Sequence, residues 1–440
     1  MSGTLEQIRT LSVPVEKLHR ACQPLTTDAL RDDGDFAAAT CLGQARAVDA
    51  LRFGLQLDRD GYNIFVLGPL GSHRYVLAEE LARERARERG APDDWCYVNN
   101  FTDPEQPRAL RLPPGKGVEF RGDMYALIEE IRLAIPAAFD DEDYRNQLKS
   151  LEGESQREIQ DLWESLKKDA EEHDITMLQT PAGYVLAPVK DGKVIDDDDF
   201  EKLPEDERKR IQATIKRLSN ELQARIESLP KMRKRYHERI RELDQEVTAH
   251  AVSILLKDLK QKYADLPDVL DYLDEVQKDI IENAKEFRTD ETPALPFLSH
   301  DSSALLTSYE VNLVVSNEAR TSAPCVYEAN PSYPNLIGKV EHRAEMGALL
   351  TDFRMVRSGA LLRANGGYLV LDAHRVLARP FVWEALKQAL FAKQVRIESP
   401  AETLGFASTT SLQPEPIPLD IKIILVGERC LFYLISTYDK

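Results

Sequence analysis

One stretch constrains this chain more than any other: Tyr62-Asn-Ile-Phe-Val-Leu-Gly-Pro-Leu-Gly-Ser-His-Arg-Tyr75. A short apolar run, a Gly/Pro turn and a segment without breakers give the order strand, turn, helix. That is the layout of a phosphate-binding loop, G-x-x-x-x-G-K-[ST]. Gly68 meets the first glycine of the pattern, and Gly71 keeps the turn tight. His73 stands at the second glycine, Arg74 at the lysine and Tyr75 at the Ser/Thr. Each departure has a physical cost. A Cβ with an imidazole crowds the backbone's approach to phosphate. The arginine fork is wider than the compact ammonium it replaces. A phenol cannot put its oxygen where the short hydroxyl ligates Mg²⁺. The frame of a nucleotide site is present, and most of its chemistry is not. The plainer reading is a strand–turn–helix inside an α/β core.

Length and charge narrow the class. A chain of 440 residues has room for two or three domains and a sizeable core. The net charge of −18 argues against a general nucleic-acid surface, which needs clustered Lys/Arg. Cys22, Cys41, Cys96, Cys325 and Cys430 are scattered with no C-x-x-C pair, so neither a disulfide framework nor a zinc knuckle is indicated. No apolar run approaches the roughly 20 residues that span a bilayer, and the N-terminus lacks a signal segment. A cytoplasmic setting is the expectation.

Along the chain, residues 1–60 read as a Pro-punctuated strap followed by a helix with Ala47, Leu51 and Leu55 at helical spacing. Residues 61–122 read as the first part of an α/β core. Tyr62–Leu67 and Trp95–Asn99 are its strands, the helix Val76–Arg89 lies between them, and a parallel sheet is expected. From 123 to 289 glycine nearly vanishes. Tyr144, Leu148, Leu151, Ile159, Leu162 and Leu166 form one apolar arm, and Ile211 through Ile254 form a return arm. The near-heptad spacing predicts an antiparallel helical or coiled-coil arm, interrupted or kinked at Pro230. A small β tip is expected at about 175–195. Asp196–Asp199 reads as a solvated helix N-terminus rather than a metal site.

A linker spans 290–308, and 309–440 reads as the second part of the core. Tyr368-Leu-Val-Leu-Asp372 and Ile421-Lys-Ile-Ile-Leu-Val426 have the continuous apolar character of buried parallel strands, the first presenting a carboxylate at its end. The helix Phe381–Lys393 lies between them.

Together these motifs carry a resemblance. The degenerate Gly-Pro-x-Gly loop, Arg363-Ala-Asn-Gly-Gly-Tyr-Leu-Val-Leu-Asp372 and Leu425-Val-Gly-Glu-Arg429 resemble the AAA+ module of Lon-related proteases, in the branch with a coiled-coil insertion. The ATP-independent Lon-like (LonC-type) peptidases fit best. The resemblance implies an α/β, AAA+-like parallel sheet with an inserted arm. It makes Asp372 the Walker B aspartate, while Ala373 replaces the glutamate that polarises water and Gly427 falls near a phosphate-sensing Asn. Gly68, Gly71, Arg74 and Asp372 are then a degenerate nucleotide site, with ATP-Mg²⁺ not expected as a cofactor. No catalytic residue is assigned, and His73, His342 and His374 are isolated. The resemblance also places Met346, Leu349 and Phe353 in a segment that grips substrate in the central channel of related rings; packing in the core is the competing reading.

The implied partners are unfolded polypeptides and further copies of the chain in a hexameric ring, with no nucleic acid or membrane. The chain reads as the N-terminal part of a larger peptidase whose Ser–Lys dyad lies beyond it, and the sheet is expected to be one strand short beside Tyr62–Leu67. An ATP-driven motor and a coiled-coil adaptor are the alternatives.

Overall fold

The computed structural model describes residues 45–59, 61–69, 71–180, 183–190, 193–194, 204–287, 302–345, 348–398 and 412–438. The lead-in strap before residue 45, Asp196–Asp199 and Met346 lie outside the described residues.

Two strands that are apolar along their whole length must be covered on both faces. Tyr368–Asp372 (β13) and Lys422–Gly427 (β16) are such strands, and they pair in parallel from Tyr368↔Lys422 to Asp372↔Val426. Ile64–Leu67 (β1) pairs in parallel with the far side of β16, and Cys325–Glu328 (β8) with the far side of β13, in the order β1-β16-β13-β8. Alternation sorts the side chains. Tyr368, Val370, Ile424 and Val426 point to one face, against the helices Ala45–Gln56 (α1) and Arg74–Ala86 (α2). Leu369, Leu371, Ile423 and Leu425 point to the other. There they meet the helices Ala373–Leu377 (α7) and Val382–Ala392 (α8). β1 is an edge strand, and among the described residues nothing pairs with its outer side.

The expectation that Trp95–Asn99 joins this parallel sheet is corrected. Asp94–Val98 (β2) instead pairs antiparallel with Arg108–Leu112 (β3) and with Asn312–Val315 (β7) in a separate sheet. Its parallel-sheet place is taken by β8. Chain order alone could not separate these two short strands. The β2 sheet is knotted by a buried carboxylate. Asp94 Oδ2 accepts from Gly117 N at 2.9 Å and Oδ1 accepts from Asn317 N at 2.7 Å. A helix, Lys116–Phe139 (α3), therefore starts against β2, earlier than the Pro/Gly breakers at 113–117 suggest.

The helices Glu142–Glu171 (α4), Glu205–Lys262 (α5) and Pro267–Glu282 (α6) follow. α4 and α5 run antiparallel: Tyr144 meets Asp244, Glu154 meets Arg239, and Leu166 packs with Leu218 and Leu222. α5 has 58 residues, roughly 87 Å at 1.5 Å per residue. It runs through Pro230 without a break, so of the expected kink or interruption the interruption does not occur. One missing N–H removes a single bond from a helix of 58 residues. Ile175–Thr180 (β4), Gly183–Lys190 (β5) and Lys193–Val194 (β6) form an antiparallel sheet between the two helices. The base of α3, α5 and α6 shares one apolar core with β2 and β3. Ser302–Thr307, inside the expected linker, is helical. No helix of the described residues is long and apolar enough to cross a membrane.

Asp94→Ala strips two backbone donors of their buried acceptor. It is expected to lower unfolding free energy by about 2–3 kcal/mol, read as a fall in the urea midpoint at unchanged slope.

Candidate functional site

The carboxyl ends of β1, β13 and β16 meet at one place. Gly68 N donates to the Gly427 carbonyl at 3.2 Å, tying the loop after β1 to the end of β16. Ser72 Oγ donates to the Pro69 carbonyl at 2.8 Å, and His73 takes a left-handed backbone (φ 54°) just before α2. The loop's interior is occupied by its own side chains. A Cβ on Gly68 would lie 2.7 Å from Ser72 Oγ and 3.4 Å from Arg74 Cδ. Arg74 is buried, with its guanidinium 5.5 Å from the centre of the Tyr75 ring. Its Nη1 meets no acceptor among the described residues.

Tyr75 bridges the two halves of the sequence pattern. Its hydroxyl donates to Asp372 Oδ2, and its ring packs edge-on against Tyr327 at 5.9 Å. Burial first, and then the bond to Asp372, pushes the phenol up to about 12, against the opposing pull of Arg74. Asp372 Oδ1 accepts from Arg375 N at 2.9 Å and so caps α7. Both carboxylate oxygens are engaged within the chain.

Beside this pair the space is hydrocarbon. A Cβ on Gly427 would lie 2.8 Å from Phe65 Cζ and 2.9 Å from Ala373 Cβ. Phe432, on the helix Arg429–Tyr438 (α9), packs edge-on against Phe65 at 5.5 Å. Ala373 and Phe65 thus leave no room for a side chain at Gly427.

Gly68, Gly71, Arg74 and Asp372 are brought to one end of the sheet; Gly71 sits at φ +83°. The channel candidates are not gathered with them. Leu349 lies in Ala348–Leu350 (β11), which pairs with Arg343–Glu345 (β10) in a hairpin. Phe353 is 5% exposed and its carbonyl accepts from Asn312 Nδ2 at 2.8 Å, so its ring stands in the core of this chain. His73, His342 and His374 are exposed on separate elements. No metal-holding group of three or more His, Cys, Asp or Glu occurs among the described residues. Sequence reasoning missed Phe65, Phe432 and Tyr327. Only Phe65 left a trace, as a large ring in the strand preceding the loop.

This architecture agrees with two family matches. A model of the LonB-like AAA domain matches residues 321–440, which include β8, β13, Asp372 and β16. A model of the Lon-like LonC helical domain matches residues 94–127, which hold β2, β3 and the first half of α3. These two segments of the chain are similar to the Lon-related proteases. No curated protein matches it. The Lon-type AAA match supplies three of the four parallel strands; β1 and its loop come from earlier in the chain.

Tyr75→Phe leaves Asp372 Oδ2 without its donor and is expected to cost about 1 kcal/mol. The phenol's pKa is raised by folding, so its contribution is fully present below pH 10 and is lost as pH rises through about 12. Urea midpoints of wild type and variant should therefore differ at pH 8 and draw together by pH 12.

Proposed function

We propose that this chain is the substrate-gating and assembly region of a Lon-family serine peptidase that degrades unfolded polypeptides without hydrolysing ATP. The single observation that carries this reading is the Tyr75–Asp372 hydrogen bond, in which a phenol takes up the carboxylate that a Mg²⁺ site would need. Two further features support it. Ala373 supplies no base to polarise a water, and Phe65 leaves no room at Gly427 for a phosphate-sensing side chain. ATP-Mg²⁺ is accordingly not a cofactor, and no catalytic step is assigned to these residues.

In this reading α4, α5 and the β4-β5-β6 sheet form a coiled-coil arm with a β tip that guards access to a proteolytic chamber. The chain assembles with copies of itself as a hexameric ring. The β10–β11 hairpin, with Leu349 in its second strand beside a half-exposed Leu350, supplies apolar grip on extended polypeptide, as apolar side chains without fixed hydrogen bonds can do for many sequences.

The decisive measurement pairs phosphate release with polypeptide binding. The chain is expected to release no phosphate from ATP-Mg²⁺ above buffer and to bind fluorescein-labelled casein with the same affinity with and without nucleotide. Leu350→Glu is expected to weaken casein binding about ten-fold through a charge placed on the apolar grip. ATP turnover that Asp372→Ala abolishes would overturn the reading in favour of a motor. Casein binding untouched by Leu350→Glu would remove the hairpin from it.

A further inference from the structure

The parallel sheet has a second end, and a cavity of about 430 Å³ opens there. It lies below the amino ends of β1 and β16, at the opposite strand ends from Asp372 and Gly68. Arg59, Arg89, Lys393 and Lys422 line it, against Asp58 and Asp420 among the described residues, in a chain whose net charge is −18.

The local charge is only partly answered from within. Asp58 pairs with Arg89 through Oδ1, and Arg85 Nη2 stands 4.0 Å from Oδ2. Arg85 Nε, in the same cluster, is buried without a hydrogen-bond partner. Lys422 is 8% exposed and donates to the Leu57 carbonyl at the end of α1. Satisfying a helix C-terminus is a sufficient reason for a basic residue at that position. It uses one of three ammonium donors, and it does not explain burying the lysine beside two arginines. Burial pushes the Lys422 pKa down and both arginines add to that, with Asp58 opposing. A doubly charged anion in the cavity would relieve this cost. Leu57, Tyr62, Leu390, Leu419 and Ile421 add apolar or aromatic wall, beside Gly61 and Asn63, whose Oδ1 accepts from Ile423 N at 2.9 Å.

We propose that this cavity binds an organic phosphate monoester, with its phosphate between Lys422, Arg89 and Arg59 and its carbon skeleton on the wall of Tyr62, Leu390 and Ile421. A phosphate presents three oxygens and up to two charges to convergent cationic donors, which a single carboxylate does not match. The volume suits a ligand of nucleoside-monophosphate size, within the roughly 300–1,000 Å³ of small-molecule sites. The site is independent of the loop at Gly68 and of the reading given for it.

The test is calorimetric titration of the full chain in magnesium-free buffer at fixed ionic strength, with adenosine monophosphate, inorganic phosphate and adenosine as probes. Adenosine monophosphate is expected to bind at one site, about ten-fold more tightly than inorganic phosphate or adenosine alone, because each lacks one half of the contacts. Lys422→Met is expected to weaken it at least ten-fold, or about 1.4 kcal/mol. Arg59 lies on the exposed rim, so Arg59→Glu keeps the test open if Lys422→Met fails to fold, and it should also weaken binding. Arg74→Met, at the other end of the sheet, should leave binding unchanged. No saturable heat at millimolar adenosine monophosphate would overturn the proposal. So would binding that survives Arg59→Glu, or binding that Arg74→Met abolishes. Inorganic phosphate binding as tightly as the monoester would overturn the organic part of the ligand.

Discussion

A carboxylate at the end of a strand buried on both faces must find donors, because neither solvent nor a neighbouring strand reaches it fully. Asp372 is in that position, at the last register pair of β13 with β16. Its two oxygens are answered by Arg375 N from the helix that follows and by the Tyr75 hydroxyl from the helix that follows β1. This pair of bonds fixes α2 and α7 against opposite faces of one sheet. The loop between β1 and α2 is then closed on itself by Gly68, Ser72 and Arg74. In a nucleotide-dependent relative of this sheet, metal and phosphate would supply those links and would leave with the product. Here both donors are residues of the chain itself.

The second organising contact is Asp94. Its oxygens hold the start of α3 and the exit from β7, so the strand pair on either side of the long helices is closed by one side chain. That closure joins the helical base to the sheet, since Tyr97, in the same strand, donates to the Glu415 carbonyl just before β16. The base helices share the core of β2 and β3, whereas among the described residues the distal part of α4 and α5 has the small buried cluster of Leu166, Ala170, Ile175, Leu218 and Leu222. Packing is therefore dense where the helices leave the sheet and sparse along their middle. Stability should be graded in the same direction, with the distal part opening first.

What could be read from the residues followed the range of the interactions. Strands β13 and β16 were legible because continuous apolar runs have few other uses, and the long helices because their period extends over many turns. β2 was misplaced because a five-residue strand carries no information about its partner, and its partners lie on both sides of the helical stretch. Tyr75 was legible as a loss, an unsuitable metal ligand, but not as a gain. Its carboxylate partner is 297 residues away, and no local rule links them. For Phe353 the local reading left core and channel open, and its ring is buried; at Pro230 the expected interruption does not occur, and the helix is continuous. Tertiary packing decided the first, and the second is one missing bond within a helix of 58 residues.

On the proposed reading, the filled site also limits what can move this molecule. A ligand shifts an equilibrium only by as much as it binds one conformation better than the other. A motor uses nucleotide, metal and their absence to make that difference large and cyclic. With Tyr75, Phe65 and Ala373 in those places, the carboxyl end of the sheet offers little for such a ligand to distinguish. On the proposed reading, the remaining source of bias is the polypeptide itself. Binding at the β10–β11 hairpin or along the sparsely packed helices can favour an open arrangement in proportion to the apolar surface it covers. Such a gate responds to the unfolded state of its cargo and cannot do work against a folded one. Selectivity for unfolded chains then follows from the energetics of the site, with no separate recognition element required.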